Sequence, residues 1–364
     1  MVQIVIVAVL GAFACSLVLT LLMRALARRI DFVDRPGGHK EHATPVALGG
    51  GVAIFLTVLL PVLGAIFAAR WAVATGATAW APPFVLPHLA GIADKLQLVL
   101  AIFTGGLILH VLGLIDDVRP LGPKLKLLVQ FVVVLGIVGV FRVRAIEAAG
   151  ELPSIILTSI WLVLIINAFN FLDNMDGLCA GVAAIALSIF AASAMVTGQI
   201  FVPTLAWVVV GALLGFLIFN FSPASIFMGD AGSMVVGYLT GLLTILTTYY
   251  DPEQQLHPTG ILTPLVVLAV PLYDVASVTV HRLKLGESPF RGDRRHFSHR
   301  LVRRGMTTRA AVMTIYLATA ATGVSAILLP HVGWMGAALI FSQTLCIVLI
   351  VAILEHAPKH ASTL

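Results

Sequence analysis

From Met1 to Met23 the chain carries no charged side chain, and Arg24 is the first. Backbone polar groups in so apolar a stretch can be satisfied in a membrane only by pairing with one another, and a helix of about 20 residues crosses a ~30 Å hydrocarbon core. Comparable runs recur along the sequence. They predict eleven spans, near 3–26, 48–69, 95–115, 125–142, 153–172, 178–197, 201–220, 231–249, 259–281, 309–330 and 333–354. Charged residues make up 11% of the 364, whereas a soluble domain carries about 25%. A membrane barrel would need short alternating segments, and none are visible. The expected fold is all-α, one polytopic membrane domain over residues 1–364 with no separate soluble domain.

Charge placement predicts the orientation. Eighteen of the 22 Lys and Arg fall in the loops, and the C-terminal tail, that lie on one side if the N-terminus is outside. Four fall on the other side. That asymmetry predicts N-out and C-in. It also accounts for the basic pI near 9.3 without nucleic acid as a partner. Cys15, Cys179 and Cys346 lie in or beside predicted spans and suggest neither a disulfide framework nor a metal site. The Ala/Pro-rich outer loop 70–94 is expected to lie on the surface without chemistry.

The inner ends of the spans hold the polar residues. Span five closes on "NAFNFLDNMDG", with Asn167, Asn170, Asp173 and Asp176 at intervals of three. If the segment stays helical, these form one slowly winding stripe. "GLIDDVRPLGPKLK" supplies Asp116, Asp117, Lys124 and Lys126, and "NFSPASIFMGDAG" supplies Asp230. The large basic loop near 282–308 contains "PFRGDRRHFSHRLVRRG" with Asp293, Arg294, Arg295, His296 and His299, and the first inner loop adds Lys40 and His42. A single acid at a span end often only caps a helix, and Asp176 alone has that reading. Four such clusters on one face ask for a common purpose.

Asp116 and Asp117 are adjacent, so repulsion would make one the better proton acceptor unless a cation intervenes. Asn170, Asp173, Asp176 and Asp230 offer the hard oxygens that Mg²⁺ takes together with substrate phosphates. Lys40, Lys124, Arg294, Arg295, His296 and His299 would hold anions. His296 and His299 stand at i and i+3, which would put them on one helix face. A Zn²⁺ pair lacks a third soft ligand nearby, and a solvated basic loop meeting anionic headgroups is the plain alternative. His110 reads as a packed side chain, and Asp274 as the partner of a neighbouring cation. Carboxylates, a hard metal and cationic clamps at a membrane surface point to phosphoryl transfer between a soluble donor and a lipid acceptor.

At these residues the sequence resembles the polyprenyl-phosphate N-acetylhexosamine-1-phosphate transferases. The resemblance runs in order through "VDRPGGHKEHATPVALGGG", "GLIDDVRPLGPKLKLLVQ", "NAFNFLDNMDGLCAG", "FMGDAGSM" and "GDRRHFSHRLVRRGMT". The nearer branch, of WecA/TagO type, moves GlcNAc-1-phosphate from UDP-GlcNAc to undecaprenyl phosphate. The resemblance implies a Mg²⁺-dependent enzyme (Mn²⁺ substituting) in the inner membrane, acting on a UDP-N-acetylhexosamine and undecaprenyl phosphate within the lipid bilayer. It implies that Asp116 or Asp117 deprotonates or orients the lipid phosphate, and that Asp230 and Asn170 share the metal. Asp173 and Asp176 match nucleotide-side acids, and Phe227 an aromatic that stacks on uracil. Lys124, Arg294, His296 and His299 match groups near the phosphates and sugar. Asn174 replaces a glycine of the usual pattern, Ser298 replaces a further histidine, and "PVALGGG" lacks an arginine.

Two rival readings stand beside it. The muramoyl-pentapeptide branch of the same family has an "HHHFE"-like loop, which "RRHFSHR" is not. An ion-coupled transporter also uses intramembrane acids, but those gather near the midplane on broken helices. The identity of the hexosamine and the oligomeric state, a homodimer included, stay open.

Overall fold

The computed structural model describes residues 1–35, 45–145, 150–251, 253–287 and 296–356. Its helices, in chain order, are α1 (Val2–Arg29), α2 (Gly50–Thr75), α3 (Leu89–Asp94), α4 (Leu96–Val118), α5 (Pro123–Val140), α6 (Glu151–Leu172) and α7 (Leu178–Val196). They continue with α8 (Phe201–Asn220), α9 (Gly229–Leu246), α10 (Thr263–Val267), α11 (Ala269–Lys284), α12 (Phe297–Arg303), α13 (Thr308–Ala326) and α14 (Trp334–His356). Ten helices among the described residues are long and apolar enough to cross a membrane, and the segment Pro258–Val267 with α11 makes an eleventh if counted as one span. This is an all-α, multi-pass membrane protein.

The ninth expected span is broken rather than continuous, with a bend of 60° between its halves. Pro271 explains the position. It has no N–H to donate, and its ring crowds the carbonyl of Val267, four residues back. Within the segment 70–94, α3 folds back so that Leu89 and Ala93 pack on Ala69 and Ala72 of α2.

Helix α9 is the hub. Every residue from Ala231 to Thr244 is buried, with α2, α4 and α6 packed around it. Small residues allow this closeness, as they do between helices in lipid generally. A Cβ on Gly113 of α4 would lie 2.3 Å from the Ala231 nitrogen, and one on Gly51 of α2 would lie 2.4 Å from that of Gly232. Hydrogen bonds add specificity: the Tyr238 hydroxyl donates to the Ile102 carbonyl (3.1 Å), and the Trp161 indole to Thr244 Oγ1 (2.8 Å). The outermost helices turn leucines outward instead, Leu10 and Leu22 on α1 and Leu339 on α14 being more than half exposed. With no aqueous reason to hide, these surfaces suit acyl chains.

One small sheet interrupts the helical pattern. β1 (Val33–Asp34) pairs antiparallel with β2 (Val46–Ala47), and Ala47 bridges in parallel to Ile226. Phe227 N–H donates to the Ala47 carbonyl (2.8 Å), while the N–H groups of Gly50 and Gly51 donate to the carbonyls of Phe227 and Met228 (both 3.0 Å). The start of α2 is thereby stitched to the segment that leads into α9.

Candidate active site

The C-terminal ends of α4 and α6 meet the N-terminal end of α9, and the start of α5 closes the group. At the head of α9, Asp117 Oδ1 accepts from the Asp230 N–H (2.8 Å) and Oδ2 from the Ala231 N–H (3.2 Å). These are first-turn amides that no helical carbonyl can reach, so Asp117 caps α9 from a neighbouring helix. Gly229 adopts φ +70°, and a Cβ there would lie 2.5 Å from Asp117 Oδ2. Only glycine meets both conditions.

Asp116 faces elsewhere. Its Oδ1 accepts from the Leu121 N–H (2.6 Å) and its Oδ2 from the Lys126 ammonium (2.9 Å). The same ammonium donates to Asp230 Oδ2 (2.9 Å). The adjacent aspartates therefore part ways: one carboxylate is committed to α9, and the other shares the Lys126 ammonium with Asp230. Lys126 makes this bridge. Lys124, the expected phosphate contact, is exposed.

The polar stripe of span five divides its partners among different elements. Asn167 donates to Gln130 Oε1 on α5 (2.7 Å) and Asn170 to Ser233 Oγ on α9 (3.0 Å). The helix then ends at Leu172, with Asp173 in its cap position. Although Asp173 keeps some exposed surface, its carboxyl group is enclosed. Burial first, and then the charges of Asp230, Asp117 and Asp176, hold its pKa well above the usual carboxylate range. Asp176 accepts from the Ala224 N–H (2.9 Å), which gives it a loop-bracing contact beside the nucleotide-side role expected of it. Asn220, which sequence reasoning missed, does similar work: it accepts from Gly177 N–H (3.1 Å) and donates to the Ile226 carbonyl (2.9 Å). Phe227 is part-exposed on the α9 side of the same loop.

The basic segment docks onto this group. His296 precedes α12 with extended backbone angles, so His296 and His299 do not share a helix face as their spacing suggested. The reason is Asp274, fully buried on α11, whose Oδ2 lies 2.8 Å from His296 Nδ1. His296 also meets the Phe171 ring edge-on, with centroids 5.6 Å apart. His299 is part-exposed on α12. His110 is packed as expected, stacked on Phe55 and bonded through Nδ1 to the Ala231 carbonyl (3.0 Å). The expected contacts Lys40, Arg294 and Arg295, together with His42 and Asp293, lie outside the described residues.

Asp116 and Asp230 thus share one ammonium, with Asp117 and Asp173 crowded beside Asp230. Among the described residues no three His, Cys, Asp or Glu side chains form a ready cage for a metal. Mg²⁺ does not require one, since it is held by one or two carboxylates while substrate phosphates and water complete its octahedron. The excess of carboxylate over ammonium fits such a cation.

The sequence profile of glycosyl transferase family 4 matches residues 99–248, the stretch that carries all four of these aspartates. A Bacillus subtilis protein named a probable undecaprenyl-phosphate N-acetylglucosaminyl 1-phosphate transferase is 32% identical over 93% of this chain and 88% of its own length. The Mycobacterium tuberculosis decaprenyl-phosphate N-acetylglucosaminephosphotransferase is 33% identical over 81% of this chain and 75% of its own. The Escherichia coli undecaprenyl-phosphate alpha-N-acetylglucosaminyl 1-phosphate transferase is 25% identical over 82% and 76% respectively. A likeness that extends along nearly the whole chain and includes the convergent carboxylates has one meaning: the chain belongs to glycosyl transferase family 4, among the polyprenyl-phosphate N-acetylhexosamine-1-phosphate transferases.

Proposed function

We propose that this protein transfers N-acetylhexosamine-1-phosphate, with GlcNAc-1-phosphate as the first choice, from a UDP-sugar to undecaprenyl phosphate. The observation that carries the reading is the convergence of Asp116, Asp117, Asp173 and Asp230 with Lys126 at one end of an otherwise apolar bundle. A water-soluble diphosphate and a lipid phosphate can meet only at such a boundary. The excess of Lys and Arg in the loops at that end supports placing it in the cytoplasm, with the protein in the inner membrane.

Asp230 and Asn170 are the groups suited to hold Mg²⁺, or Mn²⁺ in its place. The ion would neutralise diphosphate charge as it builds up during transfer. Asp116 orients the acceptor and takes its proton, because its carboxylate is not committed to a helix end as that of Asp117 is. An acceptor oxygen forms a bond to the donor's β-phosphorus, the bond from that phosphorus to the bridging oxygen breaks, and UMP leaves. Lys126 bridges Asp116 and Asp230. Asp173, Asp176 and Phe227 shape the nucleotide side, and the basic segment with His296 and His299 faces the donor's phosphates and sugar.

The test is a lipid-product assay on purified protein with undecaprenyl phosphate and a panel that includes UDP-GlcNAc, UDP-GalNAc and UDP-MurNAc-pentapeptide. A lipid-linked GlcNAc diphosphate identified by mass is expected. The product should disappear in EDTA and return with Mg²⁺ or Mn²⁺. Product from UDP-MurNAc-pentapeptide alone would move the protein to the muramoyl branch. A panel without any lipid product would end the transferase reading, and full activity in EDTA would end the metal assignment.

A further inference from the structure

We infer that Asp274 is a positioning residue for the reaction, holding His296 in one orientation and one protonation pattern beside the carboxylate cluster. The inference rests on the phosphotransfer reading in its kinetic test, and on the structure alone in its spectroscopic one.

One buried carboxylate makes two bonds to the same turn. Asp274 Oδ2 pairs with His296 Nδ1 (2.8 Å), and Oδ1 accepts from the Phe297 backbone N–H (3.2 Å). Asp274 is 0% exposed and His296 5%, so neither group exchanges this contact for water. An ionised carboxylate can only accept, which requires the proton to be on Nδ1. Nε2 is then the ring nitrogen left to serve the site, its state set by the bond on the opposite side. An unpaired carboxylate at this depth would be costly. Its burial in the interior of α11 therefore needs the histidine as much as the histidine needs it.

Other contacts fix the same helix against the site. Ser298 Oγ donates to Asn174 Oδ1 (2.6 Å), while Asn174 Nδ2 donates to the Phe171 carbonyl (2.6 Å). Asn174 immediately follows Asp173. On the far side, Arg300 donates to Glu355 (3.0 Å) on α14 and to Ser277 Oγ (2.8 Å) on α11. The turn that carries His296 is thus clamped from the loop after α6, from α11 and from α14. Of these contacts, only Asp274 bonds the imidazole itself.

Two measurements decide the matter. The first is a double-mutant cycle with Asp274→Asn and His296→Ala, read as steady-state rates with UDP-GlcNAc and undecaprenyl phosphate. A single amide oxygen cannot serve both the ring and the backbone N–H. In a Ser-His-Asp triad the same exchange keeps the geometry but costs about 10⁴-fold through the wrong tautomer. Asp274→Asn should lower kcat at least about 10-fold with donor KM little changed. In the His296→Ala background it should cost less than about twofold, because its effect passes through that ring. An equal penalty in both backgrounds would make Asp274 a packing residue and overturn the inference, as would a silent Asp274→Asn. The second measurement needs no Asp274 variant. In ¹⁵N-histidine-labelled protein, the signal lost on His296→Ala should show a protonated Nδ1, and a bare Nδ1 would overturn the inference. That spectrum still decides if Asp274→Asn does not fold. If the unmodified protein makes no lipid product, the transferase reading fails while the spectrum separately tests Asp274.

Discussion

On a helix, consecutive side chains point about 100° apart, and that angle separates Asp116 from Asp117. Asp117 reaches the head of α9, and Asp116 reaches Lys126. Their substitutions should therefore fail differently. Asp116→Asn is expected to lower kcat by ~10²–10⁴-fold, the usual span for a lost general base, with donor KM and thermal stability near those of the parent. Asp117→Ala removes a two-bond cap and should lower stability by about 1 kcal/mol, measurable as a lower midpoint in a detergent melt. A loss of stability in Asp116→Asn equal to that of Asp117→Ala would mean that the two are one structural unit. Asp173 gives a prediction in pH. An acid with a higher pKa folded than unfolded contributes stability at low pH, and loses it as pH rises from the ordinary carboxylate range toward the folded value. In chelator, the parent melt should drop across that interval, and Asp173→Asn should flatten the profile and melt higher at its alkaline end. Added Mg²⁺ should reduce the difference if the cation neutralises this cluster. A parent profile as flat as that of the variant would remove the charge-crowding argument.

At the scale of elements, most helices were legible because a long apolar run in lipid has no other way to satisfy its backbone. The break in span nine was legible in principle, since Pro271 lies well inside the run. The choice of Lys126 over Lys124 was also written in the sequence, as a phase. Gln130, Val133, Val134 and Ile137 are the buried face of α5, and stepping back four residues from Gln130 leads to Lys126. What could not be read was the position of His296. Its spacing from His299 suggested a helix, whereas a carboxylate 22 residues earlier holds it outside one. Contacts of that kind depend on how elements pack, and packing here depends on small residues. Gly113→Ala tests this directly. Its Cβ would meet the backbone of α9 at Asp230 and Ala231, where no flexible side chain can yield. Overpacking of this sort costs about 1–3 kcal/mol, and the displaced α9 should reduce activity more than tenfold by moving Asp230. Gly136 faces open space, so Gly136→Ala should be silent in the same assay. Equal behaviour of the two would mean that close approach at α9 does not position the site.

For the molecule as a whole, the structure brings the ends of α4, α6 and α8, the head of α9 and the basic helix α12 to one end of the bundle. Direct bonds demonstrate this: Asp117 to α9, Asp176 to the Ala224 loop, Ser298 to Asn174, and Arg24 Nη1 to Ser225 Oγ (3.1 Å). The charge asymmetry of the sequence, 18 of the 22 Lys and Arg falling in segments expected on the cytoplasmic side, predicts the orientation in the membrane, and it can be measured independently of activity. In a background with Cys15, Cys179 and Cys346 replaced by alanine, Lys124→Cys and Arg304→Cys occupy exposed positions at the site end, and Trp80→Cys an exposed position at the other. A membrane-impermeant thiol reagent applied to intact spheroplasts should modify Trp80→Cys and leave the other two unmodified. After permeabilisation all three should react. The opposite pattern would place the carboxylates on the outer face, where no nucleotide-sugar pool is available, and the proposed donor would fall with the topology. Labelling of all three in intact cells would instead mean that the charge asymmetry does not set a single orientation. The expected pattern would put the site where a cytoplasmic donor and a lipid acceptor meet.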